Sequence, residues 1–225
     1  MYGLGPGESV SRLVSRKTIP MTQTFLHLGC GPQRKAATTR GFNRDTWHEV
    51  TVDSDPAFKP DHVAGLTDLS AIASGSVDAV FCSHNLERLH VHEVIPALKE
   101  FHRVLKPTGF AVITSPDLQG VAELIAADKL TEAAYESAIG PIRPVDIVFG
   151  HSAAIAAGNK RLVRHCGFTQ KVLVATLQAV GFRGFASARR PAPFLDLWVI
   201  ATPDAKPEAE LREIAAQHFP SGRGK

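Results

Sequence analysis

A short apolar run that ends in two glycines, with an acid at a set distance beyond, constrains the fold of this chain most strongly. The run begins at Thr24, its glycines are Gly29 and Gly31, and Asp53 closes the next apolar run 22 positions past Gly31. Glycine permits a tight turn and lets a ligand approach the backbone, and an acid about 20 residues further on reaches a ribose hydroxyl. The spacing predicts an α/β domain that binds a nucleoside.

The residues after the glycine pair narrow the choice of ligand. Gly31 is followed by Pro32, Gln33 and Arg34, so the third glycine of a dinucleotide site is missing. Its absence argues against NAD. Two other interpretations stay open at this point. The two glycines are also compatible with a plain tight turn that binds nothing. Asp53 or Asp55 is also compatible with a role as the cap of a turn at Pro56.

A second stretch distinguishes between cofactors. It runs from Ser76 to Leu89 as SVDAVFCSHNLERL, continues through a predicted helix, and ends in RVLKPTGFAVIT from Arg103 to Thr114. This succession resembles the class I S-adenosylmethionine-dependent methyltransferases over roughly residues 24 to 116. Residues 146 to 201 resemble the substrate-side insertion and closing hairpin of the same superfamily. The resemblance implies S-adenosyl-L-methionine as cofactor and S-adenosyl-L-homocysteine as product.

Apolar periodicity predicts strands that alternate with helices along most of the chain. Such alternation implies a parallel sheet with its ligand over the carboxyl ends of the strands. We predict a Rossmann-like class I methyltransferase fold: an α/β, mostly parallel seven-stranded sheet with an antiparallel edge hairpin and helices on both faces. The predicted strands are 25–28, 49–52, 62–64, 79–82 and 110–114, the hairpin strands are 182–188 and 195–201, and the helices include 93–105, 118–129, 170–180 and 206–219.

The domain organisation follows from the same pattern. Residues 1–20 are rich in Gly, Ser, Arg and Pro and are expected to be a flexible N-terminal extension. Residues 21–203 form one predicted methyltransferase domain with a substrate-side insertion at about 130–168. Residues 204–225 are expected to be a C-terminal helix and a loose tail.

Composition limits which cellular compartment and which classes of binding partner are expected. The net charge of +3 and pI near 8.8 come from scattered basic residues, so no nucleic-acid partner is indicated. The three cysteines, Cys30, Cys82 and Cys166, lie far apart and are interpreted as reduced thiols. The chain has no apolar run of membrane-spanning length and no apolar signal core. A cytoplasmic protein without a membrane span is therefore predicted, with its oligomeric state open.

The resemblance implies a set of cofactor-binding positions. The glycine turn would hold the methionine half, Asp53 the ribose, the segment after Gly65 the adenine, and the end of the fourth strand the methionine amino group. His27 and Gly65 stand where the family usually has acids. The implied set is His27, Gly29, Cys30, Gly31, Asp53, Ser54, Leu66, Thr67, Ser83 and His84.

His84 is the first candidate for a general base, since an imidazole has an unperturbed pKa near 6.5. A packing or capping role is the alternative. Glu87 matches the acid of the family's Leu-Glu-His turn, and Arg88 replaces its histidine. No metal site is predicted, because the histidines and acids of residues 84–93 do not share one helix face. On the substrate side, His151, Arg164 and His165 are candidates to bind an acidic substrate or act as base, or else form a solvated surface.

The leading hypothesis is methyl transfer from S-adenosylmethionine to an unidentified, small-molecule acceptor by in-line displacement. One alternative is a degenerate methyltransferase-fold binding or assembly module without catalysis. A third hypothesis is a transferase that moves another group from the same or a related adenosyl cofactor.

Overall fold

The structure is a computed structural model that describes residues 22–137 and 140–220. The predicted N-terminal extension, residues 1–20, and the end of the predicted tail, residues 221–225, lie outside the described residues. Seven strands form the main sheet: β1 (Gln23–Leu28), β2 (Trp47–Asp53), β3 (His62–Val63), β4 (Val77–Ser83), β5 (Leu105–Pro116), β8 (Gly184–Arg190) and β9 (Asp196–Thr202). A separate two-stranded ribbon consists of β6 (Tyr135–Ser137) and β7 (Gly140–Ile142).

The sheet order is β3-β2-β1-β4-β5-β9-β8. The first five strands of this order run parallel, and β9 runs antiparallel to both β5 and β8. The order reverses between β1 and β4, and ligands of open α/β sheets bind at such a point beyond the carboxyl ends of the strands. The predicted fold class, a mostly parallel seven-stranded sheet with an antiparallel edge hairpin, is confirmed.

Six α-helices flank the sheet or form the insertion within the described residues. They are α1 (Val91–Val104), α2 (Leu118–Ala126), α3 (Pro144–Phe149), α4 (Ser152–Ala156), α5 (Gln170–Ala179) and α6 (Glu208–His218). In the part of the chain that the structure describes, no helix combines the length and the hydropathy needed to cross a bilayer.

The prediction that helices separate most strands is wrong for the first three connections. Between β1 and β4 the described chain forms only two single 3-10 turns, Lys35–Ala37 and Pro56–Phe58. Positive backbone φ angles at Gly29 and Gly31, followed by Pro32, delay any helix start after β1. The ribbon of β6 and β7 was not predicted either, because three-residue strands carry too little periodicity.

Side chains alternate between two cores, one on each face of the sheet. Leu26 and Leu28 of β1 point to the larger core, which α1 and α5 cover. Phe25 points to the opposite face, where Phe42 and α6 replace the helix that is absent between β1 and β2. Helices therefore lie on both faces, although one face relies on the C-terminal helix and a loop.

The end of α6 packs tightly into the second core. The buried His218 ring shares a 2.7 Å hydrogen bond with Thr39 through Nδ1 and lies edge-on to Phe42 at 4.3 Å. A Cβ at Gly41 would lie 2.4 Å from this ring, so glycine is required there by the close approach. Burial, and to a lesser extent the charge of Arg44, lowers the pKa of His218 to about 4. The imidazole is therefore neutral in the folded protein at neutral pH.

Candidate functional site

The carboxyl ends of β1, β2 and β4 enclose a cavity of about 560 Å³ at the point where the strand order reverses. Residues 159–163 of the insertion line its opposite side. Small-molecule sites commonly have volumes of about 300–1,000 Å³. The position and the size of the cavity identify it as the candidate active site.

The two glycines after β1 serve different purposes. Both have positive φ, +63° at Gly29 and +52° at Gly31. A Cβ at Gly29 would collide with the Asn85 amide at 2.4–2.6 Å, whereas one at Gly31 would meet nothing within 4 Å. The Asn85 amide donates to the carbonyl oxygens of Leu28, Gly29 and Ser83 at 2.8–3.2 Å and so ties the ends of β1 and β4 together. Gly31, by contrast, leaves free space beside the cavity.

This difference predicts unequal effects of adding a methyl group. We expect Gly29→Ala to lower the free energy of unfolding about 2 kcal/mol more than Gly31→Ala, because the displaced Asn85 loses its backbone partners. Both variants carry the same penalty for a positive φ, so Gly31→Ala is a matched control. Urea unfolding of the two variants measures the difference. Equal destabilisation would contradict the role assigned to Asn85.

The Asp53 carboxylate lies at the cavity and is already partly used by the backbone. It accepts hydrogen bonds from the amides of Gly31 (2.8 Å) and Asp55 (2.9 Å), and its side chain is largely buried. Asp55 caps the turn at Pro56 by accepting from the amide of Ala57. The alternative role of turn cap therefore falls to Asp55. Asp53 retains lone pairs, because each carboxylate oxygen can accept more than one hydrogen bond.

His27 lines the cavity but is engaged elsewhere. Its Nδ1 lies 2.7 Å from Glu49 Oε1, and the other Glu49 oxygen accepts from the amide of Lys35. Burial lowers the pKa of His27, and Glu49 opposes this shift only in part. His27 thus contributes an imidazole ring to the cavity wall, with its acidic partner one strand away on β2.

The predicted cofactor residues fall into two groups. Thr67 and His84 do not line the cavity, and eight others do: His27, Gly29, Cys30, Gly31, Asp53, Ser54, Leu66 and Ser83. Ser83 Oγ shares a 2.8 Å hydrogen bond with Thr114. His84 has a φ of +52°, and its Nδ1 lies 3.5 Å from the buried Glu87 carboxylate. The position of His84 therefore gives no geometric support to its role as base, which stays a prediction.

The substrate-side candidates divide between two adjoining cavities. His165 lines the main cavity, while His151 and Arg164 line a second cavity of about 320 Å³. Arg88 and Leu162 line both cavities and so mark the junction between them. Sequence reasoning noted Arg88 only as a departure from the family pattern.

Residues 159–163 cover the cavity through contacts with the β2 side. Arg161 forms an ion pair with Asp55, and its guanidinium lies over the Phe58 ring at 4.6 Å. These contacts join the insertion to the turn that follows β2. The covering segment lies within the substrate-side insertion predicted at about 130–168. Asn85 and Phe58 carried no sequence signal, because their roles arise from residues far apart in the chain.

Several histidines lie near the cavity without forming a metal site. The ring of His90 stacks on His165 at 4.2 Å and on His92 at 5.7 Å. Among residues 22–137 and 140–220, no group of three or more His, Cys, Asp or Glu side chains is arranged to hold a metal ion.

The fold is that of an α/β domain of the class I methyltransferase type, with its main cavity at the reversal of strand order. Residues 26–113 match the family model described as a methyltransferase domain, and this match and the fold confirm the resemblance to the class I S-adenosylmethionine-dependent methyltransferases. No curated protein sequence matches the chain significantly.

Solved structures share this fold at low sequence identity. A putative S-adenosylmethionine-dependent methyltransferase from Listeria monocytogenes is 17% identical, with 81% of this chain and 90% of that chain covered and a TM-score of 0.54. An S-adenosylmethionine-dependent methyltransferase from Methanosarcina mazei is 14% identical, with 83% and 94% covered and a TM-score of 0.55. The 1,6-didemethyltoxoflavin-N1-methyltransferase of Burkholderia thailandensis, solved with 1,6-didemethyltoxoflavin and S-adenosylhomocysteine, is 16% identical, with 82% and 72% covered and a TM-score of 0.52.

Proposed function

We propose that this protein is an S-adenosylmethionine-dependent methyltransferase that transfers a methyl group to a small-molecule acceptor by in-line displacement. The observation that carries the proposal is the convergence of Gly31, Asp53, Leu66 and Ser83 on one cavity at the reversal of strand order. The methyltransferase-domain match and the Burkholderia structure with S-adenosylhomocysteine support the choice of cofactor.

The lining residues fit this cofactor. Gly31 leaves open space where any other residue would place a Cβ, and Asp53 has lone pairs available for ribose hydroxyls. Leu66 and Phe58 offer apolar surface for a purine, at the opposite end from Ser83. When bound, S-adenosylmethionine supplies a methyl group that its sulfonium already activates.

The protein's own contribution would then be positioning and the exclusion of water. The segment 159–163, tied to Asp55 by Arg161, separates the cavity from solvent on one side. Among the predicted substrate-side residues, His165 lines the main cavity, and an imidazole there is able to accept a proton from a hydroxyl or amine acceptor. His165 is therefore better placed for this task than His84.

Titration by calorimetry tests the cofactor assignment without knowledge of the acceptor. We expect both S-adenosylmethionine and S-adenosylhomocysteine to bind purified protein with micromolar dissociation constants. Adenine alone should bind more weakly, because it lacks the ribose that Asp53 contacts. If neither compound binds, the degenerate module is favoured. Binding without methyl transfer to any acceptor would favour a module or a transferase of another group.

Other parts of the proposal rest on the sequence. A cytoplasmic location, the absence of a nucleic-acid partner, and a single domain over residues 21–203 all stay predictions.

A further inference from the structure

The second cavity contains a positive charge without a partner. Within the described residues, the guanidinium of the partly buried Arg88 has no hydrogen-bonding or ion-pair partner. It stands at the junction of the two cavities. A partly buried guanidinium without an acceptor forgoes the charge-assisted hydrogen bonds that it can form.

The acid in the lining of this cavity, Asp146, already pairs with residues other than Arg88. Asp146 accepts from Arg143 Nε at 2.7 Å and from the Ser152 amide and hydroxyl at 3.0 and 2.6 Å. Arg143 is the largest cause that lowers the pKa of Asp146. Asp146 therefore has its charge balanced by a residue outside the lining of the cavity.

Glu87 is a buried acid that forms an ion pair with Arg164, a second arginine in the lining of this cavity. Its side chain is fully buried, and its Oε1 lies 3.7 Å from Arg164 Nε and 3.5 Å from His84 Nδ1. Neither carboxylate oxygen has a hydrogen-bond partner within the described residues. Arg164 also donates to the carbonyl oxygens of Asp146 and Ile147. Glu87 and Arg164 thus balance each other's charge at the wall of the cavity, and among the described residues nothing compensates the charge of Arg88.

Arg88 and Arg164 repel each other across the cavity. Burial is the main cause that lowers the pKa of the Arg164 guanidinium, and the positive charge of Arg88 contributes in the same direction. An anion in this cavity would relieve that repulsion. Tyr135, Ile142 and Leu162 line the same space, so an apolar, planar body would fit beside the charge.

We propose that the second cavity is the acceptor subsite and that Arg88 binds a carboxylate or phosphate group of a small acceptor. This inference rests on the proposed function, because it assumes that the methyl group is delivered across the junction that Arg88 and Leu162 form. A guanidinium matches both anions with a bidentate pair of hydrogen bonds. Arg88 would then determine specificity at the position where related proteins carry histidine.

Calorimetric titration of the protein saturated with S-adenosylhomocysteine tests the subsite. The probes are 4-hydroxybenzoate for a carboxylate, phenyl phosphate for a phosphate, and the neutral 4-hydroxybenzamide as a reference that matches the shape of the carboxylate probe. We expect at least one anion to bind about tenfold or more tightly than the amide. Arg88→Met should abolish this preference, and Arg88→Lys should retain part of it. Arg183→Met, which removes an exposed arginine on the far side of the fold, should leave it unchanged.

The outcomes separate this inference from the proposed function. Equal affinities for the anions and the amide, an anion preference that survives Arg88→Met, or no binding of any probe would overturn the subsite. S-adenosylhomocysteine affinity is measured independently in the wild type. If that ligand fails to bind, the proposed function fails, and the same anion titrations without it still decide whether Arg88 forms an anion site.

Discussion

Asp53→Ala is expected to weaken the binding of S-adenosylhomocysteine about a hundredfold. The carboxylate lies at the cavity with lone pairs left over after its bonds to the amides of Gly31 and Asp55. Ribose hydroxyls that lose such charge-assisted acceptors must remain unpaired or bind water in a confined space. Calorimetric titration of the wild type and the variant measures the loss.

Two controls separate ribose recognition from damage to the turn. Adenine binding should change much less than S-adenosylhomocysteine binding, because adenine has no hydroxyls for Asp53 to accept from. Asp45→Asn alters an exposed acid outside the cavity and should leave both affinities unchanged. A proportional loss for adenine would show that Asp53→Ala acts through the backbone of the turn. Unchanged affinity for S-adenosylhomocysteine would contradict the site assignment itself.

Acidification is expected to destabilise the protein through His218. Its pKa is about 4 in the folded chain and near 6.5 when unfolded, so between these values the unfolded state binds the proton and the folded state does not. The contribution of His218 is therefore complete above pH 6.5 and is lost as the pH falls toward 4. The loss amounts to about 3 kcal/mol in the free energy of unfolding.

A comparison of variants isolates this contribution from those of other groups. His27 and carboxylates such as Asp61 and Glu100 also lose stabilising contributions as the pH falls, because folding lowers their pKa values. The pH dependence of the wild-type free energy of unfolding therefore does not identify His218 by itself. His218→Phe keeps a ring against Phe42 but cannot titrate, and urea unfolding at pH 7 and pH 5 should show a shallower pH dependence for it. His48→Gln replaces an exposed histidine and should keep the wild-type slope. Identical slopes for His218→Phe and the wild type would disprove the prediction.

Much of the fold could be predicted because strong periodic patterns act locally. The strands near Leu26, Val52 and Val80 and the helix before Leu105 were predicted within a few residues of their observed bounds. The general prediction that helices separate most strands was wrong for the early strands, because glycine and proline turn the chain there and Phe42 packs directly onto the sheet. The face of the sheet that carries Phe25 is covered by α6, which is far from β1 in the sequence.

The sequence by itself determined the order of the seven strands of the main sheet and of α1, α2, α5 and α6, the glycine turn at Gly31, and the acid Asp53 at its distance from that turn. These features depend on local backbone preferences and on spacings that the sheet preserves. Only the tertiary structure decided that Asn85 fills the space at Gly29 and that His84 lies outside the cavity. It also decided that Arg88 stands between two cavities with no side-chain partner among residues 22–137 and 140–220. These features depend on contacts between side chains that are far apart in the sequence. Such contacts determine close packing and the pairing of charges, and local sequence patterns do not encode them.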